Sequence, residues 1–277
     1  TILWREVCKN LSRNGGFWFM DLGEGSFSSP EIMSEIKKMT EFSREINKKE
    51  HTSVSQVLLV KGDVAKRKHS LSRELHQSLE YELQYRLTPI GAPVDFLRVS
   101  DLEEIDLSQY KMIVFGDTFY FERGQIEKIL SKLNPNATII WNYAPGVLLP
   151  DFSYENVKSI CGMKVCESAK SESDHPTLFI CENEGVEVLE RYENGEIKIA
   201  SKVHMGRRNI LAASPELETE DFRRFAEESG VDFYAPCGVP VYADNRISSY
   251  FAGESEGAEI KVDNKMIHIP AKGYYIK

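Results

Sequence analysis

Apolar residues recur along this chain with two periods, and the stretch 111–150 shows both. The runs 112–115 and 137–141 are rich in Ile, Val and aromatics and too short for helices, so they read as buried strands. Between them Ile126, Ile129, Leu130 and Leu133 recur at three- and four-residue spacing, which predicts a helix that Asn134-Pro135-Asn136 stops. Strand, helix and strand make a β-α-β unit whose parallel strands end on one edge of a sheet, the edge where ligands of such sheets bind. That edge carries Asp117, Thr118 and Phe119 after the first strand and Asn142, Tyr143, Ala144, Pro145 and Gly146 after the second.

The same reading extends in both directions. Leu3, Val7 and Leu11 predict a helix over 3–12 that Asn14-Gly15-Gly16 ends, and FWFMDL at 17–22 reads as a strand. Ser29-Pro30-Glu31 opens a helix carrying Ile32, Ile36, Met39 and Phe42 inward. A strand over 56–60, a loop with Gly62 and Asp63, and a helix with Leu71, Leu75, Leu79, Leu83 and Leu87 on one face follow, Tyr81 and Tyr85 broadening that face. With a strand over 94–99, the order β-α-β-β-α-β fits an open doubly wound sheet. Beyond residue 150, the runs 157–167, 177–181 and 186–192 read as short β segments, and 197–203 with 209–213 as a hairpin. A helix over 218–229 precedes a tail of short alternating segments that predicts a small antiparallel β unit.

A length of 277 residues with 42% hydrophobic residues supports a substantial core in one or two domains. The net charge of −9 argues against a nucleic-acid partner, and no apolar run is long enough for a membrane-spanning helix. The first residue is Thr1 and no signal-like region precedes it, so the chain is expected to start inside a longer protein or after a cleavage. Five scattered cysteines suggest free buried thiols rather than a disulfide framework.

Chemistry is sparse. The turn Asn142-Tyr143-Ala144-Pro145-Gly146 occupies the place of a nucleophile elbow yet holds neither Ser nor Cys. Cys161, Cys166, His175 and Cys181 miss the spacing of a structural zinc site, and no phosphate-binding glycine motif occurs, so neither a metal nor a cofactor is expected. His204, Arg207 and Arg208 form a basic cluster that reads as a solvated turn, and Glu216, Glu218, Glu220 and Asp221 sit where a helix start favours acids. Asp117 and Tyr143 remain as a ligand edge. Trp18, Phe19 and Asp21 combine aromatic faces with a carboxylate, which suits a sugar subsite.

The order of these parts resembles the C-terminal part of family 42 glycoside hydrolases of the β-galactosidase type. FWFMD with its following helix is similar to the last unit of their TIM barrel, VLLVKGD through TIIWNYAPG to their trimerisation domain, and the stretch from GVDFYAP to ADNR to their short C-terminal β domain. The resemblance implies a barrel remnant over 1–50, a flavodoxin-like or glutamine-amidotransferase-like α/β domain over 51–235 without the amidotransferase nucleophile, and an antiparallel β domain over 236–277. It implies no catalytic residue in this chain, because the family's two carboxylates belong to earlier barrel strands. It further implies a carbohydrate substrate for the parent protein and a homo-oligomer, a trimer. A stand-alone carbohydrate- or small-molecule-binding α/β module is the alternative that the residues leave open.

Overall fold

The computed structural model describes residues 2–20, 23, 25, 27–63, 72–149, 151–169 and 173–277. The chain divides into two compact units, one made of residues 1–55, 91–93 and 233–277, the other of 56–90 and 94–232. The first and last parts of the sequence reading thus fall within one unit.

The chain opens with helices α1 (Ile2–Leu11) and α2 (Pro30–Ile46). Between them Phe17 to Met20 lie in no strand, which corrects the strand expected there, residues 21 and 22 being outside the described ones; a strand needs a neighbour to take its backbone hydrogen bonds. The sheet unit follows. It runs β1 (Val57–Lys61), α3 (Arg73–His76), a π turn (Gln77–Glu82), α4 (Leu83–Leu87), β2 (Val94–Arg98), β3 (Met112–Phe115), α5 (Gln125–Lys132), β4 (Thr138–Asn142), α6 (Tyr154–Cys161), β5 (Val165–Glu167), β6 (Leu178–Ile180), β7 (Glu187–Arg191), β8 (Ile197–His204), β9 (Arg207–Ala212) and α7 (Thr219–Glu228).

Nine strands form one mixed sheet in the order β2-β1-β3-β4-β9-β8-β6-β5, with β7 beside β8. The pairs from β2 to β9 are parallel and the remaining pairs antiparallel. Both faces of the parallel part are covered. Leu58, Val60, Ile113, Phe115, Ile139 and Trp141 pack with Ile129 of α5 and Val157 of α6, while their neighbours Val57, Leu59, Met112, Val114 and Ile140 are as fully buried on the opposite face. Phe115 stacks on Trp141 at 4.3 Å, and the Trp141 indole donates to Asn209 Oδ1 at 2.8 Å.

Two sequence expectations in this unit need correction. The leucine ladder holds at Leu75, Leu79, Leu83 and Leu87, with Leu71 outside the described residues, but Tyr81 and Tyr85 are exposed instead of broadening it. Each tyrosine lies two residues, over half a turn, from a core leucine. A strict four-residue repeat also outruns the 3.6-residue α-helical period, and the π turn takes up the difference. The run 157–167 contains a helix, α6, before its strand. Ser153 Oγ caps that helix by accepting from Glu155 N, and Gly162 ends it at a φ of 78°.

The tail builds β10 (Val241–Ala243), β11 (Ser248–Phe251), β12 (Ala258–Val262), β13 (Lys265–Ile269) and β14 (Tyr274–Ile276), arranged as the antiparallel sheet β10-β11-β14 and the hairpin β12-β13. The ADNR turn fastens it within its own unit. Asp244 and Arg246 form a buried ion pair at 2.7 Å, Arg246 donates to Leu11 O at the end of α1, and Asn245 donates to Glu50 O.

Candidate functional site at the carboxyl edge of the sheet

The chain passes from β1 to β2 on one side and then to β3 on the other, so the turns after β1 and β3 face each other where an open α/β sheet normally receives its ligand. Here the two turns bond to each other, while a cleft of about 510 Å³ lined by Lys61, Gly62, Asp63, Arg98 and Asp101 opens beside the ends of β1 and β2. Gly62 N donates to Asp117 Oδ1 at 2.8 Å, and a Cβ on Gly62 would lie 2.3 Å from the Asp117 carbonyl oxygen. Asp117 is buried. The turn after β3 is knitted to the turn after β4 by Gly146 N to Thr118 O and Leu148 N to Phe119 O, both 2.9 Å. Thr118 Oγ1 and Asn142 Oδ1, both buried on this edge, have no hydrogen-bond partner among the described residues.

After β4 the backbone makes a sharp turn. Tyr143 has a φ of 68°, a left-handed conformation rare for a bulky residue and costing about 1–3 kcal/mol. The strained elbow geometry is therefore present, with a phenol where an enzyme would place a nucleophile. Burial, followed by the neighbouring Tyr154, Glu167 and Tyr192, pushes the Tyr143 hydroxyl well above the ordinary phenol range. It stays protonated and donates to Pro176 O at 2.5 Å, while the ring meets His175 and Phe119 edge to face. Its ring helps to line a cleft of about 190 Å³ with Phe119, Val147, Phe152, Pro176 and Leu178. Asp117 does not line that cleft, so the structure does not bring the two expected edge residues into one cavity. The walls are almost wholly apolar, and the space suits a small apolar group better than a hydroxyl-rich one.

The aromatic segment behaves differently. Phe17 and Phe19 pack against the core of Val7, Leu11 and Met39, and Phe19 touches Phe27 edge to face at 5.9 Å. Trp18 points the other way and is 72% exposed. Trp18 and Phe19 therefore do not form one stacking surface, and Asp21 lies outside the described residues.

Among the cysteines, the expectation of free thiols fails for one pair: Cys166 and Cys181 form a disulfide, placed on one face of the β5-β6 hairpin by pairing that sequence spacing does not reveal. Cys161 stays a buried core thiol, its pKa pushed up to about 12 by burial. His175 instead lies beside Glu74 and Asp174, with donor atoms within 4.8 Å of one another. Each carboxylate there accepts the other residue's backbone N–H at 3.3 Å, which fastens α3 to the segment before β6. Sequence reasoning missed Glu74 because it stands 100 residues away. In the basic cluster Arg207 donates to Leu133 O and Asn134 O, and Arg208 pairs with Glu228 at 2.6 Å. Glu218 and Asp221 form a capping box on α7, as their position suggested.

Sequence patterns also missed a convergence on the β5-β6 hairpin. Hydroxyls from Tyr143, Tyr154 and Tyr192 reach Pro176 O, Glu167 Oε1 and Leu178 O respectively, each from a separate part of the sheet unit.

The sequence matches no family model and no curated protein. The fold does match solved structures. It superposes on a β-galactosidase from Bacillus circulans sp. alkalophilus with a TM-score of 0.62 and 16% identity, over 88% of this chain and 44% of that one. For Gan42B, a GH42 β-galactosidase from G. stearothermophilus, the TM-score is 0.64 at 13% identity over 90% and 44%; for a β-galactosidase from Rahnella sp. R3 it is 0.63 at 13% over 90% and 44%. The chain spans less than half the length of these structures, and nearly all of it carries the fold of the C-terminal part of GH42 β-galactosidases.

Proposed function

We propose that this chain is the non-catalytic C-terminal region of a glycoside hydrolase acting on β-galactosides or similar glycosides. The observation that carries the reading is the fold likeness, which runs over 88–90% of this chain while spanning 44% of the matched β-galactosidases. In this reading residues 1–50 correspond to the last β/α unit of a barrel and 51–235 to a flavodoxin-like, amidotransferase-like domain that serves assembly into a trimer. Residues 236–277 form the terminal β domain. The parent's acid/base and nucleophile carboxylates lie outside these 277 residues, and hydrolysis proceeds by the two-carboxylate retaining route. The Gly62–Asp117 hydrogen bond and the protonated tyrosine at the elbow support a sheet domain without chemistry of its own. Trp18, exposed on the aromatic segment, is the residue of the Trp18, Phe19 and Asp21 set best disposed to meet a sugar.

The pure chain, incubated with a chromogenic β-galactoside, is expected to show no turnover, and light scattering is expected to give three times its own mass of 31.6 kDa. Turnover abolished by changing a carboxylate within the chain overturns the reading. The apolar cleft beside Tyr143 favours one second reading, a module that binds a small apolar molecule; there Tyr143→Ala weakens binding in a ligand screen by calorimetry, and unchanged affinity counts against it.

A further inference from the structure

We propose that the Cys166–Cys181 disulfide is a redox-sensitive clamp on the wall of the Tyr143 cleft. Val165, Leu178 and Ile180 anchor the β5-β6 hairpin in the core, but its backbone pairing is short. β5 is the edge strand of the nine-stranded sheet and pairs with β6 over three residues, and β6 joins β8 through the single pair Ile180–Ile197. Short ladders at a sheet edge contribute little cooperative stability and open more easily than central strands. The disulfide ties the two strands across this point, closing a loop of sequence separation 15.

What the hairpin carries gives the clamp its consequence. Pro176 and Leu178 form part of the cleft wall, and the hydroxyls of Tyr143, Tyr154 and Tyr192 all reach this hairpin. With the bridge intact, those three hydrogen bonds act on a segment of restricted freedom. With it broken, the same hydrogen bonds must also order the segment, and its wall position becomes one of several. Both cysteines are partly accessible, so a reductant can reach them; Cys8 and Cys161 are buried.

The chemistry balances with a dithiol reductant. A thiolate of the dithiol attacks one sulfur of the bridge, the S–S bond breaks, and a mixed disulfide forms as the other cysteine leaves as thiolate. The second thiol of the reductant then closes its own disulfide, so two electrons and two protons pass to Cys166 and Cys181. This inference is independent of the proposed glycosidase parentage.

The test uses the whole chain purified without reductant, then treated with dithiothreitol and reoxidised by air. Thiol titration of the denatured protein is expected to count three thiols before reduction and five after, since the sequence has five cysteines and three are unbridged. Hydrogen exchange of peptides covering 165–168 and 177–181 is expected to speed up on the order of a hundredfold on reduction. β1 and β3 are expected to stay protected, an apolar fluorescent dye to bind more strongly, and reoxidation to restore the first state. Cys166→Ser with Cys181→Ser should reproduce the reduced behaviour without dithiothreitol. Five thiols in the untreated protein, or unchanged exchange of the hairpin after complete reduction, would overturn the proposal.

Discussion

The turns after β3 and β4 leave neighbouring parallel strands at the same edge of the sheet, yet they have been put to different uses. After β3, Asp117 is buried and accepts from the N–H of Gly62, tying the turns after β1 and β3 together. After β4, the backbone at Tyr143 keeps a strained left-handed geometry and opens on an apolar cleft. One turn is locked by a buried hydrogen bond and close backbone approach, the other is shaped around a phenol instead of a nucleophile. A sheet edge in the right place is therefore not by itself a site, and here Asp117 bonds back to the Gly62 backbone within the fold.

That contrast can be broken experimentally. The largest effect is expected for Gly62→Ala: its new Cβ has no room beside the Asp117 carbonyl, so stability should fall by about 3 kcal/mol in urea denaturation. Asp117→Leu leaves the Gly62 N–H buried without its carboxylate and should cost about 2 kcal/mol. If either change proves neutral, the β3 turn is not a packing device and the comparison collapses.

Tyr143→Phe removes one hydrogen bond to Pro176 and should cost only about 1 kcal/mol, with the fold retained by circular dichroism. The buried tyrosines also predict a direction for alkaline pH. Burial, the dominant cause, raises Tyr192 from the ordinary phenol value of 10.0 to about 12, and Tyr143 and Tyr154 are raised too. A raised folded-state pKa means that the unfolded chain loses protons first, so this stabilisation is complete below about pH 10 and is lost as pH rises towards 12. Urea midpoints measured from pH 9 to 12 should fall, and Tyr192→Phe should flatten the decline. The smallest effect belongs to Thr118→Val. Its buried hydroxyl oxygen has no partner, so the change should be neutral or stabilise by up to about 1 kcal/mol. A clear loss of stability there would show that the edge retains a polar function.

Much of this architecture was legible in sequence because it rests on local patterns. The strands β1, β3 and β4, helix α5 between them, the β8-β9 hairpin and α7 with its glycine stop all follow from apolar spacing and turn residues. The missing nucleophile was equally plain, since Asn142-Tyr143-Ala144-Pro145-Gly146 holds neither Ser nor Cys. Where periodicity was ambiguous, the reading failed in a physical way. Val157, Ile160 and Cys161 can be read as β-prone, yet the Ser153 cap and Gly162 stop make them a helical face. FWFMDL has strand composition, but residues 17–20 lack the neighbour that would make it a strand.

By itself, then, the sequence determined the elements with strong periodicity, the acidic balance, the buried strands of the parallel part and the absence of Ser or Cys at the elbow. Those properties depend on residue identity and on neighbours a few positions away. Only the tertiary structure decided that Asp117 faces Gly62, that Trp18 and Phe19 point in opposite directions, that Glu74 meets Asp174, and that Cys166 bonds to Cys181. Each of these depends on which segments the sheet brings side by side, and hydrogen bonds and disulfides form between groups that are near in space regardless of their separation along the chain.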